Sequence, residues 1–372
     1  MSAQKKTIAV IFGGQSTEHE ISCRSATFLF RNIPRDRYQV AALAVSKDGQ
    51  LMPQNIERIM AETQPTVRIV TSEAADPVSL AAFRRLKRFV TQEASEDMPL
   101  IVFSIMHGTF GEDGCWQGFW NLADLPFVGV DVLGSAVAMD KEIAKKLVSL
   151  AEVPIVPYVT VQDYEWRQNA EAVIERIESQ LQGSNYFIKP ASLGSSVGIS
   201  RAKNRVELQE GMNQALGFDQ KVLVEQCLEV REIEFAVLGT DEPRVSLPGE
   251  VVSNSGFYSY DTKYVDADGA KILIPAPLTA EQTELGQKLA LKIYHALNLF
   301  GMSRIDLFLD KTSGQFYFNE ANTLPGLTSV SQYPLLWQHM GLSSAELIHQ
   351  LVETAVYRHE RKKRLQRVLQ TN

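Results

Sequence analysis

The sequence predicts an α/β protein with more than one domain, and three observations carry that expectation. Strand-like apolar runs alternate with helical stretches over the first third of the chain, the pattern of a parallel sheet layered with helices. The first run, Thr7–Phe12, ends in Gly13-Gly14 and turns into a helix beginning near Ser16 or Ile21, a junction that presents free backbone N–H groups. Far downstream, Leu307–Asp310 and Gln315–Phe318 read as two apolar strands joined by the turn Lys311-Thr312-Ser313-Gly314, so hairpin-built sheet is expected there.

Taken in order, the strand candidates of the first layer are Thr7–Phe12, Val40–Val45, Leu100–Ile105 and Pro126–Val130. Gly13-Gly14 lacks the spacing of a dinucleotide-binding turn, which sets a nicotinamide cofactor aside. Gln64–Glu96 is polar and charge-rich with few apolar periods and reads as a surface excursion without chemistry. Ala136–Leu150 predicts one amphipathic helix stopped before Pro154, and a second domain starts just upstream of it. A helix over Asn169–Leu181 follows, then strands at Tyr186–Pro190, Val197–Arg201, Lys221–Glu225, Arg231–Leu238 and Arg244–Val252, and a closing helix over Ser344–Tyr357.

At 372 residues, 45% hydrophobic and 22% charged, the composition is that of a globular protein with room for two or three cores. A net charge of −7 argues against a nucleic-acid surface over the whole chain. The cluster Arg358, Arg361, Lys362, Lys363, Arg364 and Arg367 fits a nucleic-acid arm, or the solvated cationic end of a helix whose dipole it complements. No apolar run approaches membrane-spanning length, and the N-terminus has no signal-peptide pattern. Cys23, Cys115 and Cys227 have no metal-ligand spacing, so a reducing cytoplasmic compartment fits.

The chemistry-bearing segments are four. Folding about the turn at 311–314 sets Asp306 within about a residue of Glu320 across a strand pair, with Glu320 and Asn322 on one face. Two carboxylates and an amide oxygen suit a hard cation such as magnesium, although both acids also fit ordinary strand ends. The loop from Lys189 to Gly198 is built of small residues through which a backbone can approach a polyphosphate, or it is simply a turn. Lys141 and Lys189 around that loop, Glu225 with apolar neighbours for an adenine edge, and the oxygen-rich hairpin together describe an ATP site between domains. The aromatic, turn-rich stretch 253–269 reads as a lid, and His107, after the strand Leu100–Ile105, faces a substrate or serves as a structural hydrogen-bonder.

In order, Gly13–Ser22, His107–Gly114, Met139–Lys141, Lys189–Gly198, Arg231–Glu234, Tyr260–Tyr264, Arg304–Asp306 and Asn319–Gly326 resemble the D-alanine:D-alanine ligase family of the ATP-grasp superfamily, from about Ile8 to about Trp337. The resemblance implies three domains: a Rossmann-like parallel-sheet domain over 1–129, a central ATP-grasp subdomain over 130–224 with α+β character, and a catalytic subdomain over 225–372 with a lid near 253–271. It implies ATP as co-substrate, two magnesium (or manganese) ions held by Asp306, Glu320 and Asn322, and D-alanyl-D-alanine made for peptidoglycan through a D-alanyl phosphate.

On the same implication, Arg304 and the Gly326 N–H stabilise the transferred phosphoryl and the tetrahedral oxyanion, and Lys141, Lys189, Ser195 and Ser196 surround the phosphates. Glu225 and Leu228 flank adenine, Glu232 receives the ribose, and Lys263 reaches the γ-phosphate or a substrate carboxylate. Glu18 binds the first D-alanine's ammonium in a triad with Ser195 and Tyr264, Ser331 binds the second D-alanine's carboxylate, and Lys263-Tyr264 looks like the dipeptide-forming type. The implied assembly is a cytoplasmic homodimer acting on small molecules, with neither nucleic acid nor membrane as partner. Alternatives are D-lactate or D-serine as second substrate, or a nucleotide-binding regulator without catalysis. The family's loop is often more polar than Ala191-Ser192-Leu193, and Val230 stands where glycine is common.

Overall fold

The computed structural model describes residues 5–61, 66–70, 76–77, 79, 100–253 and 270–366. Most of Gln64–Glu96 and the whole stretch 254–269, with Lys263 and Tyr264, therefore lie outside the described residues.

The first layer comprises β1 (Lys6–Gly13), α1 (His19–Asn32), β2 (Tyr38–Val45), β3 (Gln50–Gln54), α2 (Ile56–Ala61), β4 (Asp76–Pro77), β5 (Leu100–Ser104) and α3 (Cys115–Leu122). The sheet order is β4-β3-β2-β1-β5, with β1 parallel to β2 and β5 and buried along nearly all its length, as the near-continuous apolar run Thr7–Phe12 requires. The expected strand at Pro126–Val130 is reduced to a bridge between Val102 and Phe127, because the chain leaves the sheet edge toward the next domain. Gly13 ends β1 at φ 91°, and a Cβ there would lie 2.2 Å from the Val45 carbonyl oxygen, so only glycine lets the chain turn so close to β2.

The expected single helix over Ala136–Leu150 is two, α4 (Val132–Met139) and α5 (Lys141–Leu150). Asp140 takes an extended conformation between them and its side chain accepts from the Ile143 N–H, capping α5 and fixing where Lys141 begins. Then come β6 (Tyr158–Gln162), α6 (Asp163–Gln168), α7 (Ala170–Gln180), β7 (Tyr186–Pro190), β8 (Ser200–Ala202), α8 (Arg205–Ala215) and β9 (Lys221–Gln226), forming an antiparallel sheet of order β6-β9-β7-β8. The strand expected at Val197–Arg201 starts three residues later, since Ser195, Ser196 and Gly198 hold positive φ and cannot extend. Helix α8 escaped the sequence reading, although Asn204 and Glu207 are a capping pair in plain view.

The last part runs β10 (Val230–Gly239), β11 (Arg244–Val245), β12 (Gly249–Ser253), β13 (Ala270–Leu273), α9 (Ala280–Ala296), β14 (Gly301–Asp310), β15 (Phe316–Asn322), α10 (Gln332–His339) and α11 (Ser344–Lys363). Its sheet, order β13-β12-β10-β14-β15 with β11 beside β10, is antiparallel. The strand expected over Arg244–Val252 is interrupted at Ser246–Pro248, where Pro248 has no N–H to give a ladder. Helix α11 extends past Tyr357, and its cationic end is not simply solvated. Arg358 is buried between the rings of Phe127 and Phe300 and donates to the carbonyls of Gly129 (2.5 Å) and Phe127 (2.7 Å), while Lys362 pairs with Asp131. Among the described residues no helix is long and apolar enough to cross a membrane.

Candidate active site

A cleft of about 1590 Å³ opens where the three sheets meet. Its floor is the β14–β15 hairpin. Asp306 stands opposite Glu320 and Arg304 opposite Asn322, with an irregularity after Asp306 that leaves Asn319 as the extra residue. The four functional side chains thus share one face. The Arg304 guanidinium donates from Nε to Asp306 Oδ1 (2.8 Å) and from Nη2 to Oδ2 (2.6 Å), and its Nε lies 2.8 Å from Glu234 Oε2 on β10. Burial alone would lower its pKa, but Asp306 and Glu234 outweigh that and raise it well above the ordinary arginine value. Asn322 donates to Asp306 Oδ2 at 3.0 Å.

One wall is the loop after β7. Lys141, at the start of α5, donates its backbone N–H to Ala191 and its ammonium to the Leu193 carbonyl at 2.5 Å, and sits 3.9 Å from Glu320. Ser195 and Ser196 are both left-handed, at φ 52° and 59°, a conformation that turns successive N–H groups toward one side and stores strain in non-glycine residues. Ser195 Oγ donates to Glu18 Oε1 across 177 residues, which ties this loop to the first domain.

The opposite wall carries Glu18, His107 and Glu112. Gly108 lies so close beneath Glu18 that a Cβ would sit 2.5 Å from its Oε2, and its N–H donates to Glu112 Oε2 at 2.7 Å. Burial, then the charge of Glu18, pushes the Glu112 carboxyl up to about 8. Burial pushes the His107 imidazole down to about 4, and its Nε2 lies 3.0 Å from Ser25 Oγ, so the ring is neutral at pH 7. Ser331 precedes α10 and accepts from the Thr328 N–H at 3.1 Å, beside Gly326.

At the far end Glu225, Leu228 and Glu232 line the cleft. The Glu225 carboxylate is held by Lys189 at 2.6 Å and by Lys145 at 2.9 Å; burial would raise its pKa, but these two ammoniums hold it down to about 2. The fold therefore brings together Glu18, His107, Lys141, Lys189, Ser195, Ser196, Glu225, Leu228, Glu232, Arg304, Asp306, Glu320, Asn322, Gly326 and Ser331, while Lys263 and Tyr264 fall outside the described residues. Sequence reasoning missed Lys145, Glu234 and Glu112. Lys145 was findable one helical turn beyond Lys141, and Glu234 two residues along the strand from Glu232.

Among the described residues no group of three or more His, Cys, Asp or Glu forms a ready-made metal cage. The hairpin donors nevertheless fit a hard cation: Asp306 and Glu320 are adjacent oxygen donors that already gather the cationic Arg304 and Lys141, and Asn322 adds an amide oxygen.

Family models described as the D-ala D-ala ligase N-terminus and C-terminus match residues 7–130 and 147–353. The chain is 42% identical to the D-alanine–D-alanine ligase of Shouchella clausii over 97% of both chains, and 40% identical to D-alanine–D-alanine ligase A of Salmonella typhimurium over 95% of this chain and 97% of that one. Among solved structures it superposes on the D-alanine–D-alanine ligase of Coxiella burnetii with a TM-score of 0.79, 31% identity and 97% coverage of each chain. It superposes on the VanG D-Ala:D-Ser ligase of Enterococcus faecalis with a TM-score of 0.78 and 36% identity, over 95% of this chain and all of the other. With two family models covering most of its length and full-length relatives at this identity, the chain belongs to the D-alanine–D-alanine ligase family of ATP-grasp enzymes.

Proposed function

We propose that this protein joins two D-alanines into D-alanyl-D-alanine at the expense of ATP, in the cytoplasm and as a homodimer, to supply peptidoglycan synthesis. The observation that carries the reading is the hairpin face with Arg304, Asp306, Glu320 and Asn322, set in one cleft with Lys141, Lys189 and the Glu18–Ser195 contact. Three working units over 1–129, 130–224 and 225–372 meet at that cleft.

A carboxylate of the first D-alanine attacks the γ-phosphorus of ATP, giving an acyl phosphate and ADP. The amine of the second D-alanine then adds to the carbonyl carbon, phosphate leaves, and an amide remains. Lys141 and Lys189 grip the phosphates, and the left-handed Ser195–Ser196 turn offers N–H groups to them. Glu225 and Leu228 border the adenine and Glu232 the ribose. Glu18 receives the first ammonium, while Ser331 holds the second carboxylate. Arg304 and the Gly326 N–H stabilise the oxygen charge that develops at phosphorus and then at carbon. Asp306, Glu320 and Asn322 would hold magnesium, which when bound neutralises phosphate charge. His107, neutral at pH 7, orients a substrate rather than adding charge. Lys263 serves the γ-phosphate or a substrate carboxylate, and Tyr264 completes the hydrogen-bonded triad with Glu18 and Ser195.

The test is phosphate release from ATP and magnesium with D-alanine alone, then with D-lactate or D-serine added, with products identified by mass. D-alanyl-D-alanine from D-alanine alone is expected. Product only from mixtures refutes the dipeptide assignment, and ATP binding without turnover in any mixture refutes the catalytic one.

A further inference from the structure

Lys145 is fully buried and does not line the cleft. Its ammonium lies 2.9 Å from Glu225 Oε1, donates to the Phe318 carbonyl at 3.4 Å, and stands about 6 Å from the rings of Tyr158 and Phe318. Lys189 takes the other oxygen of Glu225 at 2.6 Å and reaches Asn319 Oδ1 at 3.3 Å. Two ammoniums therefore share one carboxylate in the interior. A single Lys189–Glu225 pair would balance, and an extra buried cation is costly to keep.

The excess has a use if Lys189 must leave Glu225. An ammonium that moves to a phosphate strands its former carboxylate in a dry site, and stranding one member of a buried pair is among the most unfavourable changes a protein interior can undergo. Lys145 cannot make that move, because helix α5 and the aromatic rings enclose it. We propose that Lys145 is a positioning residue: it remains with Glu225 as permanent counter-ion and so frees Lys189 to bind the nucleotide's phosphates. This rests on the reading above, in which Lys189 meets ATP.

The test is a double-mutant cycle in the full-length protein at saturating D-alanine, with ATP affinity also measured by titration calorimetry. Lys145→Met leaves Lys189 locked on Glu225, so the KM for ATP should rise about 10- to 100-fold, the worth of one charge-assisted hydrogen bond, while kcat stays within about threefold. Lys145→Arg should behave like the parent protein. In a Glu225→Gln background, where no carboxylate needs a partner and an oxygen still faces the base, Lys145→Met should leave the KM for ATP unchanged. An unchanged KM in Lys145→Met alone overturns the proposal. So does an equal rise in both backgrounds; if the single variant does not fold, a rise in the KM for ATP on adding Lys145→Met to Glu225→Gln overturns it by itself. Loss of ligation in the parent protein itself would refute the assigned function instead.

Discussion

Replacing Arg304 with Met separates what this residue does for the fold from what it does for the reaction. Its guanidinium binds Asp306 through two hydrogen bonds of 2.8 and 2.6 Å and Glu234 at 2.8 Å, and both acids are more than nine-tenths buried. Removing the cation leaves two carboxylates facing each other away from water, and a broken buried pair costs about 3–5 kcal/mol of stability. Loss of the donor at the developing oxyanion costs a further ~2.7–4 kcal/mol of transition-state stabilisation, or about 10²–10³ in kcat. The double variant Arg304→Met, Glu234→Gln takes away one of the opposed charges and should recover most of the stability but none of the rate. Urea unfolding reads the first quantity and phosphate release at saturating ATP and D-alanine the second. A double variant that turns over within about tenfold of the parent would refute the role given to Arg304.

Arg358→Ala removes two hydrogen bonds to main-chain carbonyls and a guanidinium packed 4.2 Å from the Phe127 ring centroid, and should destabilise by about 3–5 kcal/mol in urea; under about 1 kcal/mol would contradict the anchoring described. His107 is held neutral in the fold, with its pKa depressed to about 4 from 6.5, so the unfolded chain binds the extra proton in that window and acid favours unfolding. The parent should therefore lose stability relative to His107→Gln as pH falls from about 6.5 to about 4, by up to roughly 3 kcal/mol at about 1.4 kcal/mol per pH unit. Parallel unfolding curves for the two proteins at pH 7 and pH 4.5 would show His107 to be solvated instead.

How much of this was legible in advance depended on distance along the chain. Asp306 opposite Glu320 was readable because a short turn ending at Gly314 fixes the register of two apolar strands with period two. The bulge at Asn319, which gives Lys189 a partner, is a local irregularity that alternation does not encode. The break at Asp140 had a visible sign, an N-cap residue before Lys141, hidden by apolar spacing that runs on through both helices. The Lys145–Glu225 and Arg358–Gly129 contacts join residues 80 and 229 positions apart, so local sequence reveals neither partner, although the i, i+4 spacing from Lys141 puts Lys145 on the same helix face. The stretch expected as a lid, 253–271, lies almost wholly outside the described residues.

The closing helix α11 bears on how the chain is made. Leu347, Ile348, Leu351, Val352 and Ala355 belong to the same apolar core as Ile8, Val10, Phe12 and Phe30. On the ribosome, strand β1 emerges first and must wait for roughly 340 further residues, about 20–70 s at ordinary elongation speeds, before the surface that covers it exists. During that interval the nascent parallel sheet offers an apolar flank to chaperones or to neighbouring nascent chains. An isolated fragment ending near residue 129 would stay in that unfinished condition permanently.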